Sequence, residues 1–275
     1  MPHSGLKNVT TWGGNIIYDN KTSTHHLFVS RMTNDCNLVE YSKNSRIDHA
    51  VSATGPTGPF IFRDVAIPTW SHNAAPITLP DGSFAIFHVG AGTGSPNGGV
   101  NCTNSSRQPS VLGATFQDLA RDDRSTYGVH VSRSLDGPWT AVPGVKACNN
   151  PAPWVHPNGT IYLWCGSLLR ADSIAGPYTR VGNQTLSGVG VQGHLEDPQI
   201  WTDKRGNWHC LFHVFQCECG LPFSPPSPLV PHTMHGCTGP CSHRHCVTAC
   251  AQTAKITARA REHTSVPTTT QKMAW

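Results

Sequence analysis

The chain has 275 residues, a net charge of +4 and only 13% charged residues. It carries no long basic run, so the electrostatic footprint of a nucleic-acid binder is not indicated, and no apolar stretch is long enough to cross a membrane as a helix. With 26 Gly and 22 Pro, the composition favours short strands joined by tight turns over helices.

The first residues, Met1 to Lys7, lack the apolar run of a signal peptide. Yet six Asn-x-Ser/Thr sequons follow, at Asn8, Asn20, Asn101, Asn104, Asn158 and Asn183, more than fifteen Asn supply by chance. Residues 1–11 are therefore read as an N-terminal extension with a truncated start, ahead of a protein of the secretory pathway.

From residue 12 one pattern repeats. An opening partial copy reads Trp12-Gly13-Gly14-Asn15-Ile16-Ile17-Tyr18, a turn near Asp19-Asn20, then His26-Leu27-Phe28-Val29. The first full copy is Ser52…Gly58-Pro59-Phe60, then His72-Asn73-Ala74-Ala75-Pro76, then Asp81-Gly82 and Ser83 to His88. The second is Ser134…Gly137-Pro138-Trp139, then Asn150-Pro151-Ala152-Pro153, then Asn158-Gly159 and Thr160 to Trp164. The third is Ser173…Gly176-Pro177-Tyr178, then Glu196-Asp197-Pro198, then Arg205-Gly206 and Asn207 to Phe212.

Each copy has a physical reading. Asp-Gly and Asn-Gly suit two-residue hairpin turns, and the aromatic and branched runs beside them are strands. Gly-Pro-aromatic marks a bend into an outer strand, where a missing N–H is tolerated. Such units stack around an axis as propeller blades. The sequence thus predicts an all-β, partial β-propeller over 12–215. Its blades span 12–66, 73–143 and 151–182, and a fourth begins near Leu195. A long insertion, about Gly90 to Arg124, reads as surface variation or as a lip over the binding face.

Five of the eleven cysteines lie at Cys36, Cys102, Cys148, Cys165 and Cys210, an odd number that leaves at least one unpaired in this part. Cys165 and Cys210 fall in apolar strand patterns and are read as buried thiols. The other six crowd between Cys217 and Cys250, in a segment where the repeat stops. Its Cys and His spacing does not match a zinc module, so residues 216–275 are read as an irregular tail. Shifted-frame codons for Arg261–Ala274 and His232–Pro240 can spell blade-like phrases, which suggests a change of reading frame near Phe215. The flank of strand Trp208–Val214 is then expected to be bare.

The ordered repeat resembles the five-bladed propellers of glycoside hydrolase family 43 and its relatives, the arabinanases, β-xylosidases and, more distantly, invertases. The resemblance covers residues 12–215. It implies hydrolysis of glycosidic bonds by carboxylates at the axial ends of inner strands, one acting as acid and another as base or nucleophile. Aligned on the strand that follows, Asp197 matches Gly14, Ala75 and Ala152, so three of four strand starts lack a carboxylate and depart from the family pattern.

The candidate catalytic residues are Glu196 and Asp197. Adjacent strand residues face opposite ways, so without a bulge only one of the two faces the axis. Asp197-Pro198 also has a plain reading as a strand cap. Trp12, Asn15, His72, Asn73, Asn150 and Trp154 are the candidate sugar-binding residues, because aromatic faces and amides suit sugars. Asp19, Asp35 and Asp64 are candidate partner carboxylates across the axis. His209 and His213 share a strand face and are read as packing. No metal or other cofactor is expected. The leading function is a glycoside hydrolase-like protein acting on poly- or oligosaccharide as a monomer. The alternatives are a carbohydrate-binding propeller without catalysis and a protein-interaction scaffold.

Overall fold

The structure, a computed structural model, describes residues 9–94, 101–102, 128–145, 148, 150–185, 195–206, 208–215 and 245–254. They form four antiparallel sheets, each built from strands consecutive in the chain. Blade one holds β1 (Thr11–Asp19), β2 (Thr24–Met32), β3 (Ser45–Ser52) and β4 (Ile61–Ile67). A short helix, α1 (Tyr41–Asn44), lies between β2 and β3. Blade two holds β5 (His72–Thr78), β6 (Phe84–Val89), β7 (Gly128–Ser132) and β8 (Thr140–Ala141). Blade three holds β9 (Ala152–Val155), β10 (Ile161–Trp164), β11 (Ser167–Ala171) and β12 (Thr179–Thr185). Blade four holds β13 (Leu195–Thr202), β14 (Trp208–Phe215) and β15 (His245–Ala254). The fold is a β-propeller.

Two local expectations are corrected. The hairpins at Asp81-Gly82 and Asn158-Gly159 are three-residue loops, closed by Leu79 N–H to Ser83 O at 2.7 Å and His156 N–H to Thr160 O at 2.9 Å. Pro80 and Pro157 fix a negative φ at the first loop position, and only the glycine takes a positive φ, 79° at Gly82 and 90° at Gly159. The flank of β14 is not bare either. The β15 backbone pairs along it, with Cys210 opposite Cys250 and Phe215 opposite His245. Residues 245–254 are thus a strand of blade four, while 216–244 and 255–275 lie outside the described residues.

Apolar side chains between neighbouring sheets form the core. Phe28, Ile47, Ile67, Ala74, Ile86 and Leu135 join blades one and two. Ala75, Phe87, Val129, Ile161 and Leu163 join blades two and three, with Tyr178 edge-on to Phe87 at 6.3 Å. Ala152, Leu168 and Ile200 join blades three and four, supported by Trp154, Tyr162 and Trp208. Because alternate residues of a strand face opposite ways, Leu27 and Val29 turn away from blade two while Phe28 turns toward it.

Disulfides join Cys36 to Cys102 and Cys148 to Cys165. The second corrects the reading of Cys165 as a thiol. Cys165 follows β10 and so comes back to the start of blade three, where Cys148 lies. An apolar strand pattern marks burial, not redox state.

Phe87 is fully buried at the junction of two blades. Phe87→Ala is therefore expected to lower stability by about 3–5 kcal/mol in urea unfolding. A loss under about 1 kcal/mol would mean that these sheets are not packed face to face.

Candidate functional site

The first strand of each blade begins at the axis, and a residue within two positions of its first residue has left-handed backbone. Gly13, Asn73, Asn150 and Asp197 have φ of 53°, 52°, 53° and 48°. Pairing slips beside three of them, between Trp12 and Gly14, His72 and Ala75, and Glu196 and Gln199. These are β-bulges, which re-aim a side chain. Outside glycine, Asn and Asp are the residues that tolerate this left-handed backbone best. The equivalents of Asp197 are therefore Gly13, Asn73 and Asn150. This corrects the match to Gly14, Ala75 and Ala152, which counted residues along the strand without the bulge.

The four positions converge. Asn73 Nδ2 donates to Asp197 Oδ1 at 2.8 Å and to Asn150 Oδ1 in a very short contact. A carboxylate only accepts, so Asp197 fixes which end of the Asn73 amide faces it. A Cβ on Gly13 would lie 2.1 Å from Asn73 Oδ1, so the Asn73 amide occupies the space a side chain at Gly13 would need. Asn73 N–H donates to the buried Ser30 Oγ at 2.8 Å, tying blade two to blade one. Asn15 lies exposed beside them, with Nδ2 3.4 Å from Ala74 O.

The expected residues thus separate. Asn73, Asn150 and Asp197 come together, with Asn15 adjoining. His72 is at the same strand start but buried, its ring 5.0 Å from that of Tyr41 on α1. Its Nδ1 has no hydrogen-bond partner among the described residues. Trp12 is half-buried in β1 opposite Ser30. Trp154 packs against Tyr162 and Trp208, with ring centroids 6.1 and 5.1 Å away. It acts as a wedge between blades three and four. Glu196 lies on β13 with its backbone opposite His213, and its side chain lies outside the description.

Two of the three partner carboxylates are engaged elsewhere. Asp19 accepts Lys21 N–H at 2.9 Å and Thr22 Oγ1–H at 2.8 Å in the β1–β2 turn. Asp64 meets His49 Nδ1 at 3.3 Å. Asp35 is exposed in the loop after β2. His209 stacks on Trp201 and meets Asp203 Oδ2 at 3.2 Å, consistent with packing. A shallow groove lined by Leu79, Pro80, Arg133, Thr140 and Asp172 lies among the turns of blades two and three and includes none of the axial residues.

Both disulfides belong to the axial end of the blades. Antiparallel order brings the loops after β2 and β6 back to the end where β1 and β5 start, and Cys36–Cys102 joins those two loops. Cys148–Cys165 ties the approach to Asn150 to the β10–β11 turn.

Burial keeps the interior histidines neutral. It pushes His72 and His88 down to about 3, and it also lowers His26, His49 and His130. His88 Nδ1 lies 3.2 Å from Val89 O and its Nε2 lies 2.8 Å from His130 Nδ1, an arrangement that neutral rings satisfy.

Compared with solved structures, the chain is similar to a family 117 glycoside hydrolase of the marine bacterium Zobellia galactanivorans. The TM-score is 0.53 at 16% identity, over 80% of this chain and 68% of that one. A thermostable family-43 glycoside hydrolase gives 0.48 at 14% identity, over 74% and 66%. An endo-1,4-β-xylanase of Bacteroides thetaiotaomicron gives 0.45 at 15% identity, over 78% and 67%. The chain spans about two-thirds of the length of these structures. No protein-family model and no curated protein matches the sequence. The first likeness establishes the propeller fold.

Two outcomes are expected. Gly13→Ala should cost more than the roughly 1–2 kcal/mol of left-handed strain alone, because the new methyl must displace the Asn73 amide. A smaller loss in urea unfolding would contradict the convergence at the axis. Stability should also fall on acidification. His72 and His88 stay neutral in the folded state down to about pH 3, whereas the unfolded chain takes up their protons near 6.5. Their contribution is full above pH 6.5 and is lost as pH falls toward 3, by up to about 1.4 kcal/mol per pH unit for each ring. Flat stability between pH 7 and 4 would contradict this.

Proposed function

We propose that the protein is a glycoside hydrolase-like propeller that holds poly- or oligosaccharide at the axial face where its inner strands begin. One observation carries this reading: the Asn73 carboxamide donates to Asn150 and Asp197 at once, and so fixes a carboxylate from blade four beside amides from blades two and three. Fixed amide and carboxylate groups match the paired hydroxyls of a sugar, and binding of that kind favours sites set in position before the ligand arrives. The propeller fold shared with a family 117 glycoside hydrolase is in keeping with this class of ligand.

Hydrolysis requires two carboxyl groups. In this reading Glu196 protonates the departing oxygen and Asp197, oriented by Asn73, takes the proton of the attacking water. A second reading, sugar binding without hydrolysis, is favoured by a specific feature: the other three left-handed positions hold Gly13, Asn73 and Asn150, none of which is an acid.

The Cys36–Cys102 and Cys148–Cys165 bridges belong in an oxidising compartment. The sequon residues Asn20, Asn101 and Asn158 are exposed. Both features support a protein made in the secretory pathway.

Release of reducing sugar from a panel of plant, algal and microbial glycans tests the first reading. Asp197→Asn keeps an acceptor for Asn73 but removes the base, and Glu196→Gln removes the acid. Each is expected to lower turnover by about a hundredfold or more with little change in melting temperature. If the wild-type chain releases nothing yet binds glycans on an array, and Asn150→Ala weakens that binding, the second reading holds. If neither release nor binding is seen, both fail.

A further inference from the structure

At the end of the propeller opposite the axial residues, three groups from two blades converge. His26 lies near the start of β2, His49 lies on β3 and Asp136 sits in the β7–β8 turn of blade two. One ligand atom from each lies within 4.8 Å of the others. Both imidazoles are buried, and the carboxylate is exposed. His26 Nδ1 and His49 Nε2 face each other at 2.9 Å.

The far nitrogens carry the stronger signal. His49 Nδ1 meets the Asp64 carboxylate at 3.3 Å, and His26 Nε2 meets Thr24 Oγ1 at 3.0 Å. Histidines that ligate metals are held this way: an oxygen on the far nitrogen fixes the ring and raises the basicity of the near one. Phe28 stacks on His49 with ring centroids 4.8 Å apart, which sets the ring plane. A hydrogen bond between the two rings satisfies one proton, but it gives no role to the third group. Arg63 Nε lies 3.7 Å from Asp136 Oδ1, an exposed pair that holds the carboxylate only weakly.

We propose that His26, His49 and Asp136 form a site for a zinc-type divalent cation that clamps blade one to blade two. Two imidazoles and one carboxylate suit zinc, with solvent as the fourth ligand, whereas calcium and magnesium prefer oxygen alone. Binding widens the gap between the rings by a few tenths of an ångström, because two nitrogens on one tetrahedral zinc stand farther apart than a hydrogen-bonded pair. No carboxylate or amide of the axial cluster takes part, so the clamp stands whether or not the protein acts on sugars.

The test uses the full chain with its disulfides intact, stripped with chelator and with free thiols alkylated so that the cysteine-rich tail cannot take up metal. Zinc chloride is titrated by calorimetry, and the melting temperature is followed with zinc and, separately, calcium. One equivalent of zinc is expected to bind in the micromolar range or tighter and to raise the melting temperature, with no effect of calcium. Asp136→Asn, an exposed change that does not threaten folding, should weaken zinc binding at least tenfold, and His26→Gln should do the same. Wild-type binding no tighter than millimolar would overturn the proposal. So would binding unchanged in Asp136→Asn, which would place the metal elsewhere.

Discussion

Asn73 stands where the blades meet. Its side chain donates to Asn150 of blade three and Asp197 of blade four, and its backbone N–H donates to Ser30 of blade one. Blades are otherwise joined by apolar surfaces, which are strong but fix the angle between sheets loosely. A hydrogen-bonded amide at the axis adds direction. It also constrains its neighbours: Gly13 must lack a side chain, since the Asn73 amide fills that volume. Left-handed backbone near the start of the first strand of each blade lets the four positions converge, and it favours Gly, Asn or Asp there.

The supports around this point are covalent as well as polar. Cys148 lies two residues ahead of Asn150 and is bridged to Cys165. Cys36–Cys102 ties the loop after β2 to the insertion of blade two. Small movements there would uncouple Asn73 from its partners, and loop-closing bridges limit them by restricting the open chain. The opposite end is different in character. It has tight Gly-bearing turns and the buried His26–His49 pair, so ring packing and far-nitrogen hydrogen bonds do the positioning there.

The fold was legible because the repeat is local. Gly-Pro-aromatic, the hairpin glycines and the aromatic strands recur at short range, and the structure places each where a blade needs it. Asn73 and Asn150 could be picked out because amides suit sugars, and Asp197 because it is a carboxylate at a strand start. Their true equivalence was hidden because bulges add residues without adding to the strand, so counting along the strand paired Asp197 with Ala75 and Ala152. Trp154 was drawn into the candidate site by composition, but alternation along β9 sends it between blades. Cys165 looked like a thiol because its partner, Cys148, lies outside any strand pattern. His26, His49, Asp64 and Asp136 share no spacing in sequence. They meet only after three strands and a neighbouring blade are assembled, and no local motif could announce them.

Asn73 couples blade two to blade four through Asp197. A double-mutant cycle of Asn73→Ala and Asp197→Ala, measured by urea unfolding, tests it directly. If the hydrogen bond is made to an ionised carboxylate as the structure places it, the two losses should fall short of additivity by about 1–3 kcal/mol. Losses that add to within about 0.5 kcal/mol would show that the two side chains do not interact, and the account of the axis would fail with them.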